Sequence, residues 1–103
     1  MTDTREPQDA DETGDTAVVT VRYWASARAA AGLASEELAV EGPVSLAEVL
    51  RRVGARHPDA RFAQVVAACS VLVGEQPASS ADPADVVVPP GASVELLPPF
   101  AGG

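Results

Sequence analysis

The 103-residue chain is long enough for one domain with one modest core. Its 47% hydrophobic share is built from 20 Ala, 15 Val and 7 Leu, with no Ile and four aromatics, so Val supplies strands and Ala supplies helix and thin packing layers. Fifteen acids against seven arginines and no lysine give a net charge of −8, which excludes a nucleic-acid or anionic-membrane binder; one Cys and one His exclude a disulfide framework and a zinc site made from those residue types alone.

Residues 1–15 carry six acids, one arginine and no large apolar residue after Met1. Such a segment cannot bury enough surface to offset its ordering entropy, so a disordered acidic tail is expected there. It is also the opposite of a secretory signal, and no apolar run approaches 18 residues. A soluble, cytoplasmic protein is the expectation. From Thr16 to Trp24, Val19, Val21 and Tyr23 alternate with Val18, Thr20, Arg22 and Trp24. This period of two predicts a strand, and apolar residues on both faces predict a central one. Ser26 to Ala31 predicts a helical turn ended by Gly32. Ser35 to Val40 predicts a second strand, and Glu41-Gly42-Pro43 a turn.

The strongest local signal follows. Ser45 and Glu48 have the spacing of a capping box, with Val44 and Val49 as a hydrophobic staple across it. Leu46, Val49, Leu50 and Val53 make one apolar stripe. Glu48 and Arg52 are an i,i+4 ion pair, and Arg56 and His57 suit the C-terminal end that Pro58 closes. Ala60 to Ala68 predicts a short helix and Cys69 to Val73 a strand. Gly74-Glu75 reads as a turn and Gln76 to Asp85 mostly as loop. Val86 to Val88 is a short apolar run, Pro89-Pro90-Gly91 a break, and Val94 to Leu97 the last strand. Strands at both ends with a strong helix between them predict an α+β fold. It is a mixed sheet packed on one main helix, in the β-grasp or ubiquitin-like arrangement, over residues 16–97.

Residues 98–103, Pro98-Pro99-Phe100-Ala101-Gly102-Gly103, predict an extended, flexible C-terminal tail. Pro98 and Pro99 lack N–H donors and favour a stiff polyproline path. Gly102 and Gly103 make a narrow tip. Six extended residues reach about 20 Å. A carboxylate at such a tip is a poor electrophile until a second enzyme joins it to AMP through a channel that side chains would block.

These residues resemble a known family. Val21-Arg22-Tyr23-Trp24-Ala25, with Arg28 and Gly32, is similar to the opening strand and Arg-x-x-x-Gly turn of the MoaD/ThiS sulfur carriers. Val44 to Leu50 resembles their first helix, Val71 to Glu75 a Val-Asn-Gly-Glu-like turn, and Gly91 to Gly103 the closing strand and Pro-Pro-x-x-Gly-Gly tail. The resemblance covers residues 16–103 and is closest to small subunits of molybdopterin synthase. Two turns depart from it. Val73 stands where many members have Asn, which argues against a type I′ turn, and Pro90-Gly91-Ala92-Ser93 replaces an acidic Asp-Gly-Asp turn.

The resemblance implies the following chemistry. An E1-like enzyme uses ATP to adenylate Gly103, and sulfur then replaces an oxygen to give a thiocarboxylate. The tail residues Pro98, Pro99, Phe100, Ala101 and Gly102 enter the synthase large subunit, and sulfur passes to precursor Z to form the dithiolene of molybdopterin. No cofactor or metal is held by the chain itself, which is a sulfur donor without its own catalytic site. Two small subunits on a large-subunit dimer would make a heterotetramer.

Other readings stay open. The chain would also suit a sulfur carrier for cysteine, thiamine or a thiolated metabolite. A ubiquitin-like modifier forming amides with target lysines, or a passive binding module, would share the fold. Cys69 reads as a small core residue, His57 as a helix-end residue, and Arg51, Arg52 and Arg56 as a solvated helix face. Phe100, on an arm with no core to join, reads as a partner contact.

Overall fold

The structure is a computed structural model that describes residues 17–78 and 81–99. The expected acidic tail and residues Phe100, Ala101, Gly102 and Gly103 lie outside the described residues. In chain order the elements are β1 (Ala17–Tyr23), α1 (Ala25–Ala31), β2 (Ser35–Val40), β3 (Val44–Ser45), α2 (Leu46–Arg56), α3 (Ala60–Ala68), β4 (Ser70–Val73), β5 (Gln76–Pro77), a 3-10 turn (Pro83–Asp85), β6 (Val87–Val88) and β7 (Ser93–Leu97). Five strands form one sheet in the order β2-β1-β7-β4-β5, while β3 and β6 pair in a separate ribbon. The central pair, β1 and β7, is parallel, and the other pairs are antiparallel. The sheet is therefore mixed, and β1 is internal as expected, although Val18 stays exposed on its outer face.

The period of two sorts the strands into an inner and an outer face. Val19, Val21 and Tyr23 of β1, Leu38 and Val40 of β2, and Val94 and Leu96 of β7 are buried. Against them α2 sets Leu46, Val49 and Val53, α3 sets Phe62 and α1 sets Ala27, all buried. Each such Val, Leu or Phe contributes roughly 1.5–3 kcal/mol by leaving water. Leu50 and Val44 stop at the margin of this cluster. So α2 is the main helix, and α1 and α3 complete a single helical layer.

Local chemistry explains the boundaries. Ser45 Oγ accepts from Glu48 N–H at 3.0 Å and starts α2. Glu48 does not complete the box: its carboxylate is taken by Arg51 at 2.8 Å and Arg52 at 2.9 Å. Gly32 ends α1 in the left-handed region (φ 81°), its N–H donating to Arg28 O at 2.9 Å. The Arg-x-x-x-Gly spacing is that i,i+4 rung. In the β4–β5 hairpin Val73 pairs with Gln76, and of the two turn residues Gly74 alone has positive φ, so the turn follows the type II′ pattern and not I′. Pro89-Pro90-Gly91-Ala92 has the chemistry of a type II turn, with Pro90 second, Gly91 third at φ 85°, and Ala92 N–H bonded to Pro89 O at 3.1 Å.

Three expectations need correction. The strand expected from Cys69 begins at Ser70, because Cys69 caps α3 through its N–H to Val66 O. The expected 76–85 loop contains β5 and the 3-10 turn, which Asp82 caps by accepting from Ala84 N–H at 2.9 Å. The apolar run at Val86 to Val88 narrows to a two-residue strand paired with Val44 and Ser45, and it leaves Val87 exposed.

Candidate functional site at the sheet exit

The candidate site is where β7 leaves the sheet. Strand β7 is held on both sides, by β1 through Thr20↔Ser93 to Tyr23↔Leu96 and by β4 through Ser70↔Leu97 to Val73↔Val94. Trp24 N–H donates to Leu96 O at 3.2 Å and adds a rung at the exit. The inward alternation of Val94 and Leu96 continues to Pro98, which is buried, whereas Pro99 is exposed. Pro98 and Pro99 line a shallow groove of about 250 Å³ with Ser26 of α1 and Gln64, Val65 and Ala68 of α3. Of the tail residues read from the sequence, the structure thus locates two, Pro98 and Pro99. Phe100, Ala101, Gly102 and Gly103 lie outside the described residues.

The surroundings of the exit are shaped by the β1–α1 junction. Ala25 takes φ 50°, a left-handed conformation that costs a residue with a Cβ roughly 1–2 kcal/mol. The junction turns the chain from sheet to helix in one step. It leaves Trp24 on the outer side, 42% exposed. Its indole Nε1–H donates to Glu95 Oε1 at 3.0 Å, and the Arg22 guanidinium sits 5.6 Å from its ring centre. The outer face beside the exit is therefore an aromatic plane held by one charge of each sign.

One further cluster was missed from sequence, and His57 was misjudged within it. Glu36, with its side chain 9% exposed, accepts from the Tyr23 hydroxyl, from Arg56 Nη1 at 2.9 Å and from His57 Nε2 at 2.7 Å. Burial works to raise this carboxyl, but the three donors outweigh it and hold it below the ordinary carboxylate range. The Tyr23 phenol is pushed well above its usual value, first by burial and then by Glu36. His57 is thus not a bare helix-end residue. A signal was available, since Glu36 falls in the inward slots shared with Leu38 and Val40, and a buried acid requires donors. Cys69 is half-buried at the end of α3, its Sγ donating to Val65 O at 3.3 Å. Burial pushes its thiol up to about 11, which keeps it protonated at neutral pH.

Among the described residues no group of three or more His, Cys, Asp and Glu side chains is arranged to hold a metal ion. No described helix is long and apolar enough to cross a membrane.

Comparison with solved structures gives the same architecture. The Haloferax volcanii HVO 2177 protein superposes with a TM-score of 0.68 at 23% identity, over 90% of this chain and 92% of that one. A Pyrococcus furiosus protein described as molybdopterin converting factor, subunit 1, gives 0.65 at 22% identity, over 82% and 99%. Urm1 from Trypanosoma brucei gives 0.66 at 17%, over 88% and 100%. At these identities the likeness establishes the ubiquitin-like β-grasp fold. No curated protein sequence matches the chain. The sequence model of the ThiS family matches residues 21–103, from the middle of β1 through the final glycine. The chain belongs to the ThiS family.

Proposed function

We propose that this chain is the small subunit of molybdopterin synthase and carries sulfur as a thiocarboxylate on Gly103. Small carriers of this family are generally non-catalytic and work with enzyme subunits and E1-like enzymes. The observation that carries the reading is the position of the Pro98-Pro99-x-x-Gly102-Gly103 sequence, issuing directly from an interior strand of the sheet. A tail rooted in β7 is fixed at its base, while its glycines offer no side chain to a narrow channel.

The chemistry runs in three steps. The Gly103 carboxylate attacks the α-phosphate of ATP on an E1-like enzyme, forming an acyl-adenylate and releasing pyrophosphate. Sulfide-level sulfur then attacks the acyl carbon, AMP leaves, and a thiocarboxylate remains. The large subunit then receives the tail; the thiocarboxylate sulfur bonds to a carbon of precursor Z in place of an oxygen there, and water cleaves the acyl C–S bond, so that one of the two dithiolene sulfurs stays on the pterin and Gly103 returns to a carboxylate. This chain supplies the acyl group and its placement. Phe100 is proposed to anchor the tail in the large subunit.

Intact-mass measurement of the protein from its native cell tests the carrier reading. A fraction with one oxygen replaced by sulfur is expected, and carboxylate alone under sulfur-replete conditions would refute it. A stable adduct on another protein would instead indicate a modifier. Loading without support of molybdopterin formation would indicate a carrier for another pathway. Deleting Gly103 should abolish sulfur transfer with the thermal midpoint nearly unchanged.

A further inference from the structure

The sheet has two edges, and both would offer unpaired backbone to another strand. Strand β5 is two residues long and contains Pro77, which has no N–H, so that edge is poor for pairing. Strand β2 is six residues long and needs another explanation. Its backbone direction follows from the β1 ladder. Tyr23 N–H donates to Ala34 O at 2.8 Å, and the register continues through Val21↔Glu36, Val19↔Leu38 and Ala17↔Val40. Residues 34, 36, 38 and 40 therefore bond toward β1, and the backbone groups of Ser35, Glu37 and Ala39 face outward.

Two of those outward carbonyls are occupied. Arg56 Nη1 donates to Glu37 O at 3.1 Å, and Arg52 Nη1 donates to Ala39 O at 2.7 Å. The arginines are one helical turn apart on α2 and match the two-residue step between outward carbonyls of β2. Each is braced by an acid: Arg52 Nε bonds Glu48 at 2.9 Å and Arg56 Nη1 bonds Glu36 at 2.9 Å. Their side chains are 34% and 47% exposed, so they are not core filling. We infer that Arg52 and Arg56 close the β2 edge to strand addition by a second copy of this chain.

The occupant follows from the edge itself. A two-fold antiparallel β2–β2 pairing that sets Glu37 opposite Ala39 lets these two outward residues of each copy exchange their N–H and C=O groups. It also keeps acid from facing acid, which matters in a chain of net charge −8. The guanidinium groups stand where the second strand's N–H groups would come.

The test uses the full chain. With Arg52→Ala and Arg56→Ala together, light scattering after gel filtration should show the mass doubling as concentration rises, while the parent chain keeps the monomer mass. Hydrogen exchange at the Glu37 and Ala39 amides should slow by about tenfold or more in the variant dimer. Adding Ala39→Pro, which removes an outward donor not used by β1, should return the monomer. A folded double variant that stays monomeric, a dimer that leaves both amides unprotected, or a parent chain already paired through them would overturn the inference. If circular dichroism shows the double variant unfolded, Arg52→Ala alone, which leaves every Glu36 contact in place, must slow Ala39 exchange with concentration. Concentration-independent exchange there would overturn it equally.

Discussion

The Tyr23 hydroxyl on β1 donates across to the Glu36 carboxylate on β2, and His57 Nε2 meets the same oxygen, Oε2. An ionised carboxylate only accepts, so Nε2 of His57 carries the proton. Glu36 thereby joins the sheet to the C-terminal end of α2 through Arg56 and His57. Replacing it by Gln keeps the volume but removes the charge that these donors face. Glu36→Gln should cost roughly 1–3 kcal/mol in urea denaturation at pH 7. The pH dependence has a definite sign. The folded carboxyl lies below its ordinary value of 4.5, so its stabilisation is full above that value and is lost as pH falls through the folded value. The gap between parent and Glu36→Gln should narrow as the pH is lowered below 4.5; an unchanged gap would remove Glu36 from the stabilising network.

Gly32 isolates a backbone effect. No atom outside its chain neighbours lies within 4 Å of an added Cβ, yet φ is +81°. Gly32→Ala should therefore cost about 1–2 kcal/mol without a clash. Asn, which tolerates the left-handed region, should recover part of it. Equal thermal midpoints for the Gly and Ala proteins would show that the cap is not needed.

Phe62 is the main side chain that α3 buries, at 1% exposure. Its ring meets Tyr23 edge-on at 5.8 Å and His57 at 4.7 Å between centroids. Phe62→Ala should cost about 3–5 kcal/mol, a large part of the total stability of a domain this size, whereas Phe62→Leu should lose much less. Denaturant midpoints measure both.

Cys69 should be a slow nucleophile. A thiol held at about 11 rather than 9 has on the order of 100-fold less thiolate at neutral pH. Iodoacetamide labelling should still climb with pH above 9, where an ordinary thiol of pKa about 8–9 has levelled off, and Cys69→Ser should leave the proposed sulfur loading of Gly103 intact. Fast labelling at pH 7 would give the thiol a chemical role.

Much of the fold was legible because short-range rules governed it. The alternation of Leu38 and Val40 marks β2, which runs Ser35–Val40, and Ser45 sets the start of α2. Elements with no period of their own were not legible. Pro77 lacks a donor and gives no strand signal, yet Gln76 and Pro77 pair with β4 because the tight Gly74 turn returns them there. Cys69 continued the apolar alternation of Val71 and Val73, but a helix end claimed it. At the candidate site the Pro98-Pro99 start of the tail was readable from the residues alone. The seating of Pro98 was not, because a proline's fixed φ does not say whether its ring continues the inward face after Leu96. The donors around Glu36 come from residues 13 to 21 positions away, a distance at which sequence periodicity carries no information.

The place of β7 between β1 and β4 has a mechanical consequence. A partner that tugs on the C-terminus loads two hydrogen-bond ladders lengthwise, so their rungs must fail together rather than peel one after another. The domain can be hauled by its end without unravelling, as a rope holds when its anchor is woven into the middle of the cloth.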